Sequence, residues 1–178
     1  MPFVLLYSTL FLHIFPFLHI LRYTAPMAQK QLVIYTDGGC RGNPGPGGWA
    51  CIILDGENET AFSGGETMTT NNRMELTAAI NALTIVQQSD SWRDCHVQIF
   101  CDSQYVKTGI TLWITSWKKN GWKTAAKKSV LNQDLWQTLD ALNSSLDVSW
   151  NWVKGHAGIA YNERCDELCQ REMRARMN

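Results

Sequence analysis

The chain is 178 residues long, 45% hydrophobic, and carries 16 basic against 16 acidic side chains for a net charge of zero. That length suits one domain with a sizeable core and argues against a second catalytic domain. Six cysteines without a C-x-x-C pair, beside four histidines, give neither a zinc spacing nor a disulfide framework; reduced, mostly buried thiols in a cytoplasmic protein are expected.

Pro2 to Leu21 holds no Asp, Glu, Lys or Arg and is long enough, at about 20 residues, to cross a bilayer. Pro16 interrupts it, however, and neither a basic leading region nor an A-x-A cleavage site accompanies it. An upstream extension of a chain that begins at Met27, a membrane anchor and a signal peptide are the three readings. The extension is preferred because Met27-Ala-Gln-Lys runs straight into a strand, so residues 1–26 are read as a leader and 27–178 as the domain. If the leader is an anchor, Arg22 and Lys30 place the domain on the cytoplasmic side.

Gln31 to Thr36 is a β-branched and aromatic run, a strand buried on both faces with Asp37 at its end. Gly38 to Gly48 follows as a glycine- and proline-rich turn. Trp49 to Leu54 and Thr60 to Ser63 are the next strands, joined across Asp55-Gly56 as a hairpin. Leu76, Ala79, Ile80, Leu83 and Val86 recur at helical spacing, predicting an amphipathic helix that starts near Asn71 or Asn72. Val97 to Cys101 is a fourth strand; the intervening helix makes it parallel to the first, with Asp102 at its carboxyl end. Tyr105 to Lys119 reads as short helices broken at Gly109, Leu131 to Leu142 as a helix, and Leu146 to Val153 as the fifth strand. A last helix from about Asn162 buries Cys165, Leu168, Cys169 and Met173. The fold class is α/β: a five-stranded mixed sheet, three antiparallel strands then two parallel, flanked by helices.

Four acids stand at informative places: Asp37, Glu75, Asp102 and Asp166. Asp37 and Asp102 leave the same end of two neighbouring parallel strands, ~4.8 Å apart, where their charges repel unless a cation lies between them. Each alone would be an ordinary turn residue. Glu75 alone would be read as closing a capping box with Asn72, but beside the other acids its place on the first helical turn, at the edge of the apolar stripe, points it toward the strand ends. Asp166 alone suits the first turn of a helix, where an acid gains ~0.3–1 kcal/mol. Together the four read as a carboxylate cage for magnesium, with manganese as substitute, which is what a phosphodiester hydrolase needs. His156 lies between Gly155 and Gly158 and is of the residue type that most readily carries protons, though lone histidines are more often structural.

Zero net charge hides an asymmetry. Ser103 to Gln133 contains no acid and six lysines: Lys107, Lys118, Lys119, Lys123, Lys127 and Lys128. Trp113, Trp117 and Trp122 lie among them, the composition of a nucleic-acid groove, although Trp113 and Trp117 also share a helix face with Ile110 and Ile114 as a packed helix would.

Several separated stretches agree in order with one family: Thr-Asp-Gly-Gly-Cys, Gly-Asn-Pro-Gly-Pro-Gly-Gly, Thr-Thr-Asn-Asn-Arg-Met-Glu-Leu, Asp-Ser-Gln-Tyr-Val, Trp-Lys-Lys-Asn-Gly-Trp-Lys and Trp-Val-Lys-Gly-His-Ala-Gly. From Gln31 to about Arg171 the chain resembles bacterial type 1 ribonuclease H. The resemblance implies an endonuclease that hydrolyses the RNA strand of an RNA–DNA hybrid with two Mg²⁺ ions, giving 5′-phosphate and 3′-hydroxyl ends. It makes Asp37, Glu75, Asp102 and Asp166 the metal ligands, Asp166 at the second site, and gives His156 a part in activating water or releasing product. It adds a contact of Glu75 with the RNA 2′-hydroxyl. Telling a hybrid from DNA calls for neutral donors and acceptors near the ribose, a role open to Asn43, Asn71, Asn72 and Gln104 beside their turn and cap duties. Resemblance adds Cys40 through its backbone, Thr70 for a DNA phosphate, and Trp113, Trp117, Lys118, Lys119 and Lys123 as a basic protrusion on the DNA strand. A monomer without an obligate protein partner is expected, and a membrane partner only if the leader is real.

Rival readings are a transposase- or resolvase-like nuclease of the same fold acting on DNA, a non-catalytic hybrid-binding module, and a membrane-anchored recruitment domain. The second requires a missing acid, and none is missing.

Overall fold

The computed structural model describes residues 29–177; the 1–26 leader lies outside them. Five strands, β1 (Gln31–Cys40), β2 (Gly45–Asp55), β3 (Asn58–Thr69), β4 (His96–Cys101) and β5 (Asp147–Trp152), form one sheet in the order β3-β2-β1-β4-β5. β1, β2 and β3 are antiparallel neighbours, and β4 and β5 run parallel to β1. The helices are α1 (Asn71–Gln88), α2 (Gln104–Thr108), α3 (Ile114–Lys119), α4 (Gln133–Ser145) and α5 (Ala160–Ala175).

Alternation along the strands sorts side chains between two cores. Leu32 and Ile34 of β1, Cys51 and Ile53 of β2, and Val97 and Ile99 of β4 face α1 and α4, meeting Leu76, Ala79, Leu83, Val86, Trp136 and Leu139. On the other side Ala50 and Ile52 meet Cys165, Cys169 and Met173 of α5, with Leu168 partly buried at the margin. All six cysteines are unpaired and only Cys40 is not buried; burial pushes the Cys51 and Cys101 thiols up to about 12, which keeps them protonated and inert. At the leading ends of β4 and β5, His96 Nδ1 meets Asp147 Oδ2 at 2.9 Å and His96 Nε2 meets the Ser149 hydroxyl at 3.2 Å, tying the two strands together.

Three expectations need correction. β1 does not end at Asp37; it continues to Cys40, because Asp37 to Cys40 pair with Ala50 to Gly47 of β2, and the loop shrinks to the residues after Cys40. The α1 cap is Thr70, whose hydroxyl accepts from the Arg73 amide at 3.4 Å. Gly109 does not break the helical run: Gly109–Trp113 form a π turn continuous with α2 and α3. The glycine is there for packing, since a Cβ would lie 2.1 Å from the Trp136 ring.

Candidate active site

The parallel register of β1 and β4 ends at Thr36↔Cys101, so Asp37 and Asp102 are the next residues of both strands and emerge side by side. The end of a parallel sheet is where an open α/β fold presents ligands. α1 brings the third acid. Gly38 lets the helix come in against β1: a Cβ there would sit 2.2 Å from the Met74 carbonyl carbon and 2.3 Å from the Glu75 nitrogen. Glu75 is thus buried beside Asp37 and takes no part in a capping box; its carboxylate meets the Gly38 amide across the gap. Ligand atoms of Asp37, Glu75 and Asp102 all lie within 4.8 Å of one another.

Electrostatics shows what this proximity costs. Burial, then Asp102 and Asp166, push the Asp37 carboxyl from an ordinary 3.8 up to about 7, although the Gly38 amide donates to its Oδ1 at 2.8 Å. Burial and then the charges of Asp37 and Asp102 drive Glu75 well above the usual carboxylate range. Three carboxylates held this close, Asp37 and Glu75 among them disfavouring their charged forms, are an all-oxygen donor set suited to hard divalent cations, so the residues fit a magnesium or manganese site.

Beside this trio opens a cleft of about 460 Å³ lined by Asp37, Glu75, Asp166, His156, Cys40 and Asn71 among others. Asp166 projects from α5 into the cleft, outside the three-carboxylate group but close enough to raise Asp37. His156 is exposed at the rim, in the left-handed region at φ 53°. Asn43 Oδ1 accepts from the Asn71 amide at 3.3 Å, fastening the loop after β1 to the start of α1. Thr70 and Asn72 flank that helix start, and exposed Gln104 opens α2 two residues beyond Asp102.

The lysine-rich segment is moored by rings. Trp113, 39% exposed, lies 5.7 Å from Trp117, which meets fully buried Trp136 edge-on at 5.3 Å. Trp117 is therefore partly core, and Trp113 is the ring left to the surface. Lys118 pairs with Asp140 of α4 at 2.6 Å, whereas Lys119 and Lys123 are exposed and pair with no acid among the described residues.

One residue escaped the sequence reading. Asn162, read only as the start of the last helix, is 2% exposed and its Nδ2 donates to Asp102 Oδ2 at 3.3 Å. An asparagine in the buried stripe of Cys165, Cys169 and Met173 was the available signal.

The RNase H family model matches residues 29–174. The chain belongs to the ribonuclease H family. Its curated relatives include the ribonuclease H of Rhodopseudomonas palustris strain TIE-1, 56% identical over 142 residues that cover 80% of this chain and 88% of the relative. That of Hydrogenovibrio crunogenus is also 56% identical, over 145 residues covering 82% and 97%. Among solved structures, LC9-RNase H1, described as a type 1 RNase H with the type 2 active-site motif, is 29% identical with a TM-score of 0.75, over 84% of this chain and 75% of that one. LC11-RNase H1, solved with an RNA/DNA hybrid, is 25% identical with a TM-score of 0.64, over 83% and 99%. The family membership is that of the bacterial type 1 enzymes, and the chain is a nuclease. No helix among the described residues is long and apolar enough to cross a membrane.

Proposed function

We propose that the chain is an endonuclease that hydrolyses the RNA strand of RNA–DNA hybrids, with the active centre at Asp37, Glu75, Asp102 and Asp166. The observation that carries this reading is the gathering of three carboxylates within 4.8 Å at the strand ends, with a fourth in the adjoining cleft. Asp37, Glu75 and Asp102 would hold a divalent ion, and Asp166 with Asp37 a second. A pair of magnesium ions bound there supplies a readied water and charge stabilisation for the departing 3′ oxygen, leaving 5′-phosphate and 3′-hydroxyl ends. Manganese substitutes, sharing the preference for oxygen.

The protein groups divide the remaining work. His156, exposed on its glycine-flanked loop, exchanges protons with the cleft, accepting one as water adds or giving one as product leaves. Asn71 and the backbone of Cys40 line the same cleft and can meet a ribose hydroxyl, which duplex DNA lacks. Glu75 doubles as acceptor for that hydroxyl. Asn43, Asn72 and Gln104 extend the polar surface along the RNA strand, while Thr70 at the α1 start offers a hydroxyl to a DNA phosphate. Trp113, Trp117, Lys119 and Lys123 take the DNA strand, with Lys118 contributing less because Asp140 already holds it. Residues 27–178 carry this activity as a monomer in the cytoplasm.

Matched RNA·DNA, RNA·RNA and DNA·DNA duplexes, incubated with Mg²⁺ and with chelator, test the reading. Cleavage confined to the RNA of the hybrid and abolished by chelator is expected. Cleavage of the DNA duplex would favour the transposase-like alternative.

A further inference from the structure

The carboxylates of a cation cage must be aimed as well as assembled, and Asp102 is the member whose surroundings are most specific. Its position is fixed from the segment that runs from β5 into α5. The Trp152 indole donates to the Asp102 carbonyl at 3.0 Å, holding the backbone. Gly155 passes so near the carboxylate that a Cβ would stand 2.6 Å from Oδ2. Asn162 donates from Nδ2 to the same Oδ2 at 3.3 Å.

Asn162 has no structural reason to be polar. It lies on the α5 face otherwise filled by Cys165, Cys169 and Met173, and its Oδ1 is buried with no hydrogen-bond partner. An amide half satisfied in a core is a net cost to folding, and an apolar side chain of the same shape would avoid it. Its one bond goes to a carboxylate oxygen, and turning the amide over would set Oδ1 against that oxygen, so only the observed orientation attracts. α5 then offers two side chains to the site one turn apart, Asp166 into the cleft and Asn162 onto Asp102.

We infer that Asn162 is a positioning residue: it occupies Asp102 Oδ2 and, with Gly155, turns the other carboxylate oxygen toward the divalent cation. This rests on the cation cage proposed above. Partners that orient a ligand typically change metal affinity by about 10–100-fold when removed.

The test is Mg²⁺ binding by calorimetry to the full chain without nucleic acid, for the unsubstituted protein, Asn162→Leu, Asp102→Asn and the double variant, with circular dichroism to confirm folding. Asn162→Leu should bind about tenfold more weakly, and in the Asp102→Asn background the same change should cause no further loss. Unchanged affinity in folded Asn162→Leu, or an equal loss in both backgrounds, would overturn the inference. Should Asn162→Leu fail to fold, the side-chain amide resonance of Asn162 in the unsubstituted protein decides: it should move with Mg²⁺ in step with saturation, and a stationary signal rejects the role. If the unsubstituted protein itself binds no Mg²⁺, the cage reading fails instead, a distinguishable result.

Discussion

Asp37 is a residue at which the proposed chemistry and the stability of this protein meet. Its carboxyl holds a proton up to about pH 7 in the cation-free fold, against 3.8 ordinarily. Between those values the folded state binds a proton that the unfolded chain has released, so raising the pH favours unfolding. Glu75 acts with the same sign. The chelated protein should therefore lose thermal stability from about pH 5 to about pH 8, and saturating Mg²⁺ should remove that slope by holding the carboxylates ionised. Scanning unfolding across that range with and without Mg²⁺ checks it; a chelated midpoint that climbs with pH contradicts it. Below about pH 4 the slope reverses, because hydrogen bonds from Lys30, Arg73 and Ser63 hold Asp55, Asp134 and Glu172 below their usual range and are lost on protonation. Gly38 is the second sensitive residue. Gly38→Ala drives a Cβ into the α1 backbone, and such overpacking should cost about 3 kcal/mol in denaturant unfolding while displacing Glu75 and lowering turnover. An alanine variant of unchanged stability and turnover would show that α1 can retreat without consequence.

At the scale of elements, the register of the sheet carried most of what the sequence could tell. β-branched runs and one intervening helix were enough to predict that the first and fourth strands are parallel neighbours, which placed Asp37 and Asp102 together. The misreadings arose where tertiary packing chose between two local options. Asn72 suits a cap in the sequence, yet Thr70 caps the helix; Glu75, expected to point to the strand ends, does so because of the close approach at Gly38. Gly109 resembles a helix breaker, but its missing Cβ makes room for Trp136. Asn162 shares the helical spacing of the buried Cys165, Cys169 and Met173, but that spacing says only that it faces inward and not that its amide meets Asp102 across the sheet. The lysine segment gives a prediction of its own. Lys119→Ala with Lys123→Ala should lower the slope of log affinity for hybrid against log salt by about 1 for each phosphate that is no longer neutralised, with the chemical step intact. Lys118→Ala should change that slope less, since it first releases Asp140. Titrating hybrid at several salt concentrations separates them, and an unaltered slope in the double variant would remove the segment from the groove.

For the molecule as a whole, one acidic centre and one basic segment are built on a chain of zero net charge, so the proposed affinity for an anionic hybrid would have to come from separation of charge across the fold rather than from its sum. Deleting residues 1–26 should leave hybrid cleavage within about twofold, because the family match starts at residue 29 and the proposed site lies beyond it; a large loss would make the leader part of the enzyme. Everything proposed for the catalytic end of the molecule requires that the acids at the strand ends act together on divalent cations to cut RNA. Asp37→Asn puts that requirement to the sharpest trial, with cleavage and hybrid binding measured on the same folded sample. Hydrolysis should be abolished while hybrid affinity is kept or increased, since a negative charge beside the phosphates is gone; undiminished cleavage by that variant would contradict the carboxylate cage.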